Sequence, residues 1–244
     1  MKKWLHAFAM CQSMFCSIPC PWQVWDEDAR PLMLLFLPVI GLEIGVIWAL
    51  LAWVTQLLEL PSLIAGLVLA VYPFLVTGFL HLDGFMDVTD AVKSCRSLQR
   101  RREILKDSHV GAFSVIGVVI LMLAQFAFAA SAQGELWILM FVPVVSRCGS
   151  ALAVTLLKPM STSQYSGQNI RKDHGLILAG MLILAMAGGF LLFGKSGWVL
   201  VGGAAGYCWA LQKGYRSLEG MNGDISGYAL TLSELSALAV LALI

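Results

Sequence analysis

The chain has 244 residues, 59% of them from the AVILMFWYC set with 23 glycines besides, only 13% charged, and a mean hydropathy of +0.79. Soluble domains carry about 45–50% apolar and about 25% charged residues, so this chain lacks the polar surface to cover a water-soluble fold. An ordinary globular enzyme, a disordered chain and a nucleic-acid-binding domain are excluded, and with 16 basic against 15 acidic residues the bulk charge favours no partner. The composition is that of an integral membrane protein whose first partner is the lipid bilayer.

Residues 1–30 open with Met1-Lys2-Lys3-Trp4, but the apolar run behind them is short and interrupted by His6 and Gln12. They read as a retained interfacial segment rather than a signal peptide. The six cysteines form no CxxC pair, and Cys148 and Cys208 fall inside apolar runs, so neither a disulfide framework nor a zinc site is expected.

A crossing helix needs about 20 apolar residues. Candidate spans are Pro31–Leu58, Pro61–Leu80, Phe113–Ala132, Leu136–Leu157, Gly175–Phe193, Trp198–Leu211 and Ile225–Ile244, the sixth short and the seventh carrying Glu234. Continuous apolar runs argue against a β-barrel. With the N-terminus inside, the inner segments hold 14 basic residues, against Lys195 alone outside and Arg147 within a span. The positive-inside rule then puts the N-terminus and the long loops in the cytoplasm. Small residues four apart, Gly41 with Gly45 and Gly202 with Gly206, allow close helix packing. The expected fold is all-α: one polytopic helical bundle over 1–244, about seven transmembrane helices, and a cytoplasmic acidic and basic loop at 81–112. A homo-oligomer is left open.

Between the second and third spans runs His81-Leu82-Asp83-Gly84-Phe85-Met86-Asp87-Val88-Thr89-Asp90. At about 100° per residue the three aspartates fall within an arc of about 60° on a helix. Like charges so placed repel, unless a cation neutralises them, and oxygen ligands suit Mg²⁺ or Mn²⁺. A solvated acidic face is the plain alternative. Downstream, Arg100-Arg101-Arg102-Glu103-Ile104-Leu105-Lys106-Asp107-Ser108-His109 is either a headgroup anchor or a phosphate site. Acidic and basic elements in one loop point to metal-assisted phosphoryl chemistry. Arg147 and Glu43 are intramembrane charges, paired or functional. Arg147 fits a phosphate ligand or a glutamate's partner equally, and Glu43 fits a pairing role. Asn222-Gly223-Asp224 is either a capped interhelical turn or a place of close backbone approach to a ligand.

The run Gly78–Asp90, followed by Arg102–Gly111, resembles the cobalamin synthase family, the adenosylcobinamide-GDP ribazoletransferases; Ile18-Pro19-Cys20-Pro21, Phe36–Gly41, Ser146-Arg147 and Asn222-Gly223-Asp224 through Glu234 extend the likeness over nearly the whole chain. Glu43 and the segment Met160–Lys172 depart from the family pattern. The resemblance implies an inner-membrane enzyme that joins adenosylcobinamide-GDP to α-ribazole or its 5′-phosphate with release of GMP. On that reading Asp83, Asp87 and Asp90 hold Mg²⁺ with Asp224 a candidate fourth oxygen donor, Arg102, Lys106 and Arg147 bind substrate phosphates, and Asn222 and Asp224 belong to the substrate-binding set. His81, Asp83 and Asp107 are the candidate catalytic groups, His81 being the best base by chemical type. The rivals are a secondary transporter using the acids as an ion relay and a CDP-alcohol phosphotransferase, whose DGxxAR signature is absent.

Overall fold

The computed structural model describes residues 2–161, 163 and 172–244. Among them are ten α-helices: α1 (Lys2–Phe15), α2 (Met33–Leu57), α3 (Ser62–Val76), α4 (Leu80–Lys93), α5 (Leu98–Ile104), α6 (Ala112–Ser131), α7 (Val142–Leu156), α8 (Lys172–Phe193), α9 (Trp198–Leu218) and α10 (Gly223–Leu241). No strand occurs among the described residues; one isolated bridge joins Pro159 to Met221. Most of the segment 160–172, including the basic Arg171, lies outside the described residues.

Every expected span coincides with a helix, with changes that have local causes. The second ends at Val76 because Gly78 and Phe79 take left-handed backbone conformations, and α4 leaves at 88° to α3. The fourth is split into a 3-10 turn, Leu136–Met140, and α7, where Pro143 in the first turn starts a new helix without needing an N–H partner. The sixth runs on to Leu218: beyond the apolar stretch Gly214 packs on Ile225 and Leu218 is buried, while Lys213 lies over the Trp209 ring.

Four helical runs are long and apolar enough to cross a membrane, five if α3 and α4 count as one broken span. The longest of these, Asp173–Leu218, has 46 residues. Straight, it would measure about 69 Å, over twice the hydrocarbon thickness of about 30 Å. It is folded in two at Gly194–Gly197, where Gly189 packs on Leu200 and the Phe190 and Trp198 rings meet edge to face. α10 is not among the apolar runs; its Ser226, Thr231, Ser233 and Glu234 are buried inside the bundle.

Contacts fix the directions. Trp48 and Tyr72 donate to the Leu69 and Ile44 carbonyls, so α2 and α3 are antiparallel. Gly66 on Ala130 and Gln125 on the Ala70 carbonyl make α3 and α6 antiparallel, as Gly41 on Pro143 and Gly45 on Met140 do for α2 and α7. Gly188 on Phe141 with Gly175 on Leu156 reverses α8 against α7, and Gly202 on Val240 with Gly214 on Ile225 reverses α10 against α9. The starts of α2, α6, α8 and α10 therefore gather at one end with the finishes of α3, α7 and α9. The basic run of α5 and the turn after it, Arg100-Arg101-Arg102 and Lys106, lies at that end, with Lys213 and Arg216 at the finish of α9. Lys195 is at the other, donating to the Ile244 carbonyl.

The N-terminal segment is more deeply engaged than an interfacial helix. Trp4 and Phe8 pack edge to face on Phe36, Gln12 donates to Glu43, and Ala7, Met10, Cys11 and Gln12 are buried. The segment between α1 and α2 is pinned by Lys3 to Asp28 and His6 to Asp26. The apolar side of α1 is thus buried in the bundle, while Trp4 and Leu5 stay exposed.

Candidate functional site

α4 turns Leu82, Phe85, Val88 and Ala91 into the bundle, leaving Asp83 exposed and Asp87 and Asp90 half-buried on the other side. Gly84 lets α4 cross the start of α10 at backbone contact: a Cβ there would meet the Asp224 Cα at 3.0 Å and its carbonyl oxygen at 2.9 Å. Gly227 lies as close to the backbone of His81. This crossing sets Asp224, 141 positions further along the chain, beside Asp83 and Asp87.

Burial, with Asp83, Asp224 and Asp90 close by, pushes the Asp87 carboxyl up to about 7. Asp224 is raised by burial and by Asp83, against the opposing hydrogen bond from Asn222. Asn222 caps α10, accepting from the Ile225 N–H at 3.0 Å, and its Nδ2 donates to Asp224 Oδ2 at 2.6 Å. The Asn-Gly-Asp turn is thus a capped interhelical turn, with Asn222 as the cap and its amide also holding the Asp224 carboxylate.

Asp90 is turned away. Its two oxygens accept from the Gly111 N–H at 2.8 Å and the Ser114 N–H at 3.0 Å, satisfying donors at the start of α6 that no helical carbonyl reaches. Asp90→Ala is expected to cost about 1–2 kcal/mol of stability, as a lost cap does, with turnover per folded molecule largely kept. Thermal unfolding in detergent alongside rate measurements checks this; lost turnover at unchanged stability would return Asp90 to the metal set.

Asp224 also lines a cavity of about 380 Å³, together with Arg102, Leu105, Lys106, Met160 and Asn222. Arg102 is pinned there, its Nε donating to the Leu218 carbonyl at 3.0 Å and its Nη2 to that of Glu219 at 2.9 Å, where α9 ends on a left-handed Glu219. A smaller cavity of about 150 Å³ shares Asp224 and is lined also by Asp83, His81, Ser150 and Ser226. Of the expected residues, then, Arg102, Lys106, Asn222 and Asp224 share one cavity, and His81, Asp83 and Asp224 the other.

Two expectations are redirected. Arg147 is 1% exposed and lines neither cavity; it donates to Glu234 at 2.8 Å and to Ser146 and the Pro143 carbonyl. The glutamate-partner reading is the one its geometry follows, because a guanidinium in an apolar interior needs a counter-charge. Asp107 lies in an exposed turn accepting from the His109 N–H and in contact with its Nδ1 at 2.6 Å, and it too lines neither cavity. His109 holds its carboxyl below the usual carboxylate range. The residues missed in the sequence are Ser150 and Ser226, hydrogen-bonded across α7 and α10, and Phe15, whose ring lies nearly parallel to His81. Ser150 stands four residues after Ser146 in an apolar span, a spacing that was the available signal.

The profile of the family described as cobalamin-5-phosphate synthase matches residues 7–242. The chain belongs to that family. It is 36% identical over 252 residues to the adenosylcobinamide-GDP ribazoletransferase of Clostridium perfringens (strain SM101 / Type A), covering 100% of both chains. With the enzyme of the same name from Clostridium botulinum (strain Alaska E43 / Type E3) it shares 35% over 98% of this chain and 97% of the relative. With that of Clostridioides difficile (strain 630) it shares 27% over 95% of each. No solved structure matches. Membership in the cobalamin-5-phosphate synthase family makes this a transferase of cobalamin biosynthesis built from apolar helices.

Proposed function

We propose that this chain transfers the phosphoryl-linked cobinamide of adenosylcobinamide-GDP to a ribose hydroxyl of α-ribazole, or of its 5′-phosphate, releasing GMP. The observation that carries the reading is the meeting of α4 and α10: Asp224 of α10 lines the cavity that holds Arg102 and Lys106, and it shares a second cavity with Asp83 of α4. The names of the relatives supply the substrates.

The hydroxyl oxygen attacks the phosphorus on the cobinamide side, the bond from that phosphorus to the GMP oxygen breaks, and GMP departs in line. Arg102 and Lys106 neutralise the diphosphate as charge grows on the leaving group. Asn222 holds Asp224 in place, and Asp83, which lines the smaller cavity, would take the proton of the incoming hydroxyl. Asp83, Asp87 and Asp224 are hard oxygen donors whose mutual repulsion favours a cation, which fits Mg²⁺ or Mn²⁺. Among the described residues no three acidic, imidazole or thiol groups are placed to hold a metal ion by themselves. Mg²⁺ rarely has such a set, being held by one or two carboxylates plus substrate phosphates. When bound, the ion would supply charge neutralisation at the diphosphate.

The test is GMP release by purified protein given the corrinoid nucleotide, with and without ribazole. Release that requires ribazole and Mg²⁺ is expected; none with both present overturns the reading.

We further read seven crossings in the cell membrane of a bacterium or archaeon, with the N-terminus and the site in the cytoplasm, because the basic residues cluster at the site's end of the bundle. Cys95, exposed between α4 and α5, tests it. A membrane-impermeant thiol reagent should modify Cys95 only from the cytoplasmic side, and modification from the outside alone would invert the topology.

A further inference from the structure

The smaller cavity mixes two kinds of wall. Two carboxylates, Asp83 and Asp224, and two hydroxyls, Ser150 and Ser226, line it together with Phe15, Leu37, Val154 and other apolar side chains. About 150 Å³ is room for one small ring, as a cavity of that size accepts benzene, and not for a fused two-ring base. A purely apolar ring would press on the carboxylates and hydroxyls without offering them a hydrogen bond. A furanose suits both walls: its hydroxyls donate to carboxylates and exchange hydrogen bonds with serines, and its C–H groups meet the apolar side chains.

The serines carry an open valence. They are 7% and 8% exposed and hydrogen-bonded to each other, and the buried Tyr207 hydroxyl adjoins Ser226. At most two hydrogen bonds can run along this row, whereas three hydroxyls carry three protons. Among the described residues no further acceptor meets any of them, so at least one proton is left over. An oxygen in the cavity completes the row, with Tyr207 donating to Ser226, Ser226 to Ser150, and Ser150 to the ligand. Buried hydroxyls are costly to leave unsatisfied, so such an oxygen is bound with a gain. The row belongs to α7, α9 and α10, and Asp83 to α4, so two hydroxyls of one sugar find different hosts.

Resting on the function proposed above, we infer that this cavity seats the ribose of the acceptor nucleoside, with the attacking hydroxyl toward Asp83 and a neighbouring hydroxyl held by Ser150 and Ser226. The base lies outside the cavity. Ser150 and Ser226 are then specificity-determining residues that select a sugar carrying both hydroxyls.

Calorimetric binding of α-ribazole to the intact protein in detergent, with Mg²⁺ present, tests this without turnover. Of its 2′-deoxy and 3′-deoxy analogues, at least one should bind the wild type about tenfold less tightly, as the loss of a hydrogen bond does. Ser150→Ala combined with Ser226→Ala should weaken ribazole binding by a similar factor and should bind that analogue as well as ribazole itself. Val154→Phe, which fills the cavity from α7, should weaken ribazole binding at least tenfold. Thermal unfolding shows that the variants are folded, and the analogue comparison needs no variant. A wild type that binds none of the three nucleosides or binds all of them alike overturns the assignment even if GMP is released. So does a folded serine variant that keeps the wild-type preference among them, or a folded Val154→Phe that binds ribazole as the wild type does. Discrimination between the sugars with no GMP release would instead uphold the cavity and refute the reaction.

Discussion

Asp83→Asn and Asp87→Asn should each abolish measurable transfer, a loss of roughly 10²–10³-fold or more, while the bundle stays folded and its melting temperature holds or rises. The two expectations have one cause. Asp87 is half-buried and faces Asp83 and Asp224, and its raised carboxyl records how poorly the folded protein tolerates a full set of charges there. An isosteric amide relieves repulsion, so stability is kept, but it removes an anionic oxygen needed to bind a divalent cation. Asp224→Ala should behave similarly in rate, by about a hundredfold or about 2.7 kcal/mol of transition-state stabilisation. Activity titrated with Mg²⁺ and with chelator, together with thermal unfolding, reads both sides. Full transfer in excess chelator, or variants that lose stability yet keep their rate per folded molecule, would show that the carboxylates serve the fold alone.

The largest effect on stability is expected at Glu234. Its carboxylate and the Arg147 guanidinium are 2.8 Å apart with side chains 6% and 1% exposed, and Ser146 bonds to both. Glu234→Ala leaves a guanidinium without its counter-charge in an apolar interior, and breaking such a pair costs about 3–5 kcal/mol. Arg147→Met combined with Glu234→Leu should recover much of that loss, since replacing both partners by apolar groups is often near neutral. Unfolding in detergent for the single and double variants checks the coupling. If Glu234→Ala unfolds like the wild type, the ion pair is not what holds α7 to α10.

The helices were legible because apolar length is a direct consequence of the bilayer, and the aspartates of α4 because three carboxylates on one helical face need an explanation within the helix itself. The split of the fourth span was within reach, since Pro143 stands in it. Asp90 could not be told from Asp87 by spacing alone. What separates them is the start of α6, where Gly111 and Ser114 claim the Asp90 oxygens, and that contact spans 21 positions. Arg147 was open for the same reason: its partner is 87 residues away, and the sequence holds several glutamates that could have served. The depth of α1 was also hidden, because Lys2, Lys3 and Trp4 carry an interfacial signature while the face that settles the matter is a modest run of alanines with Met10 and Cys11.

The crossing of α4 with α10 has a consequence for biosynthesis. Asp83 and Asp87 emerge from the ribosome in the first half of the chain, and Arg102 soon after, but Asp224 and the carbonyls that pin Arg102 belong to the last 27 residues. The nascent protein can insert most of its helices with its chemistry still unassembled, and competence arrives only when the final helix docks. A chain cut short before α10 would lack Asp224, and with it the carboxylate that the proposed transfer sets beside Asp83. The C-terminus is accordingly the poor choice for a rigid fusion partner, because anything that strains α10 acts on the site at the opposite end of that helix.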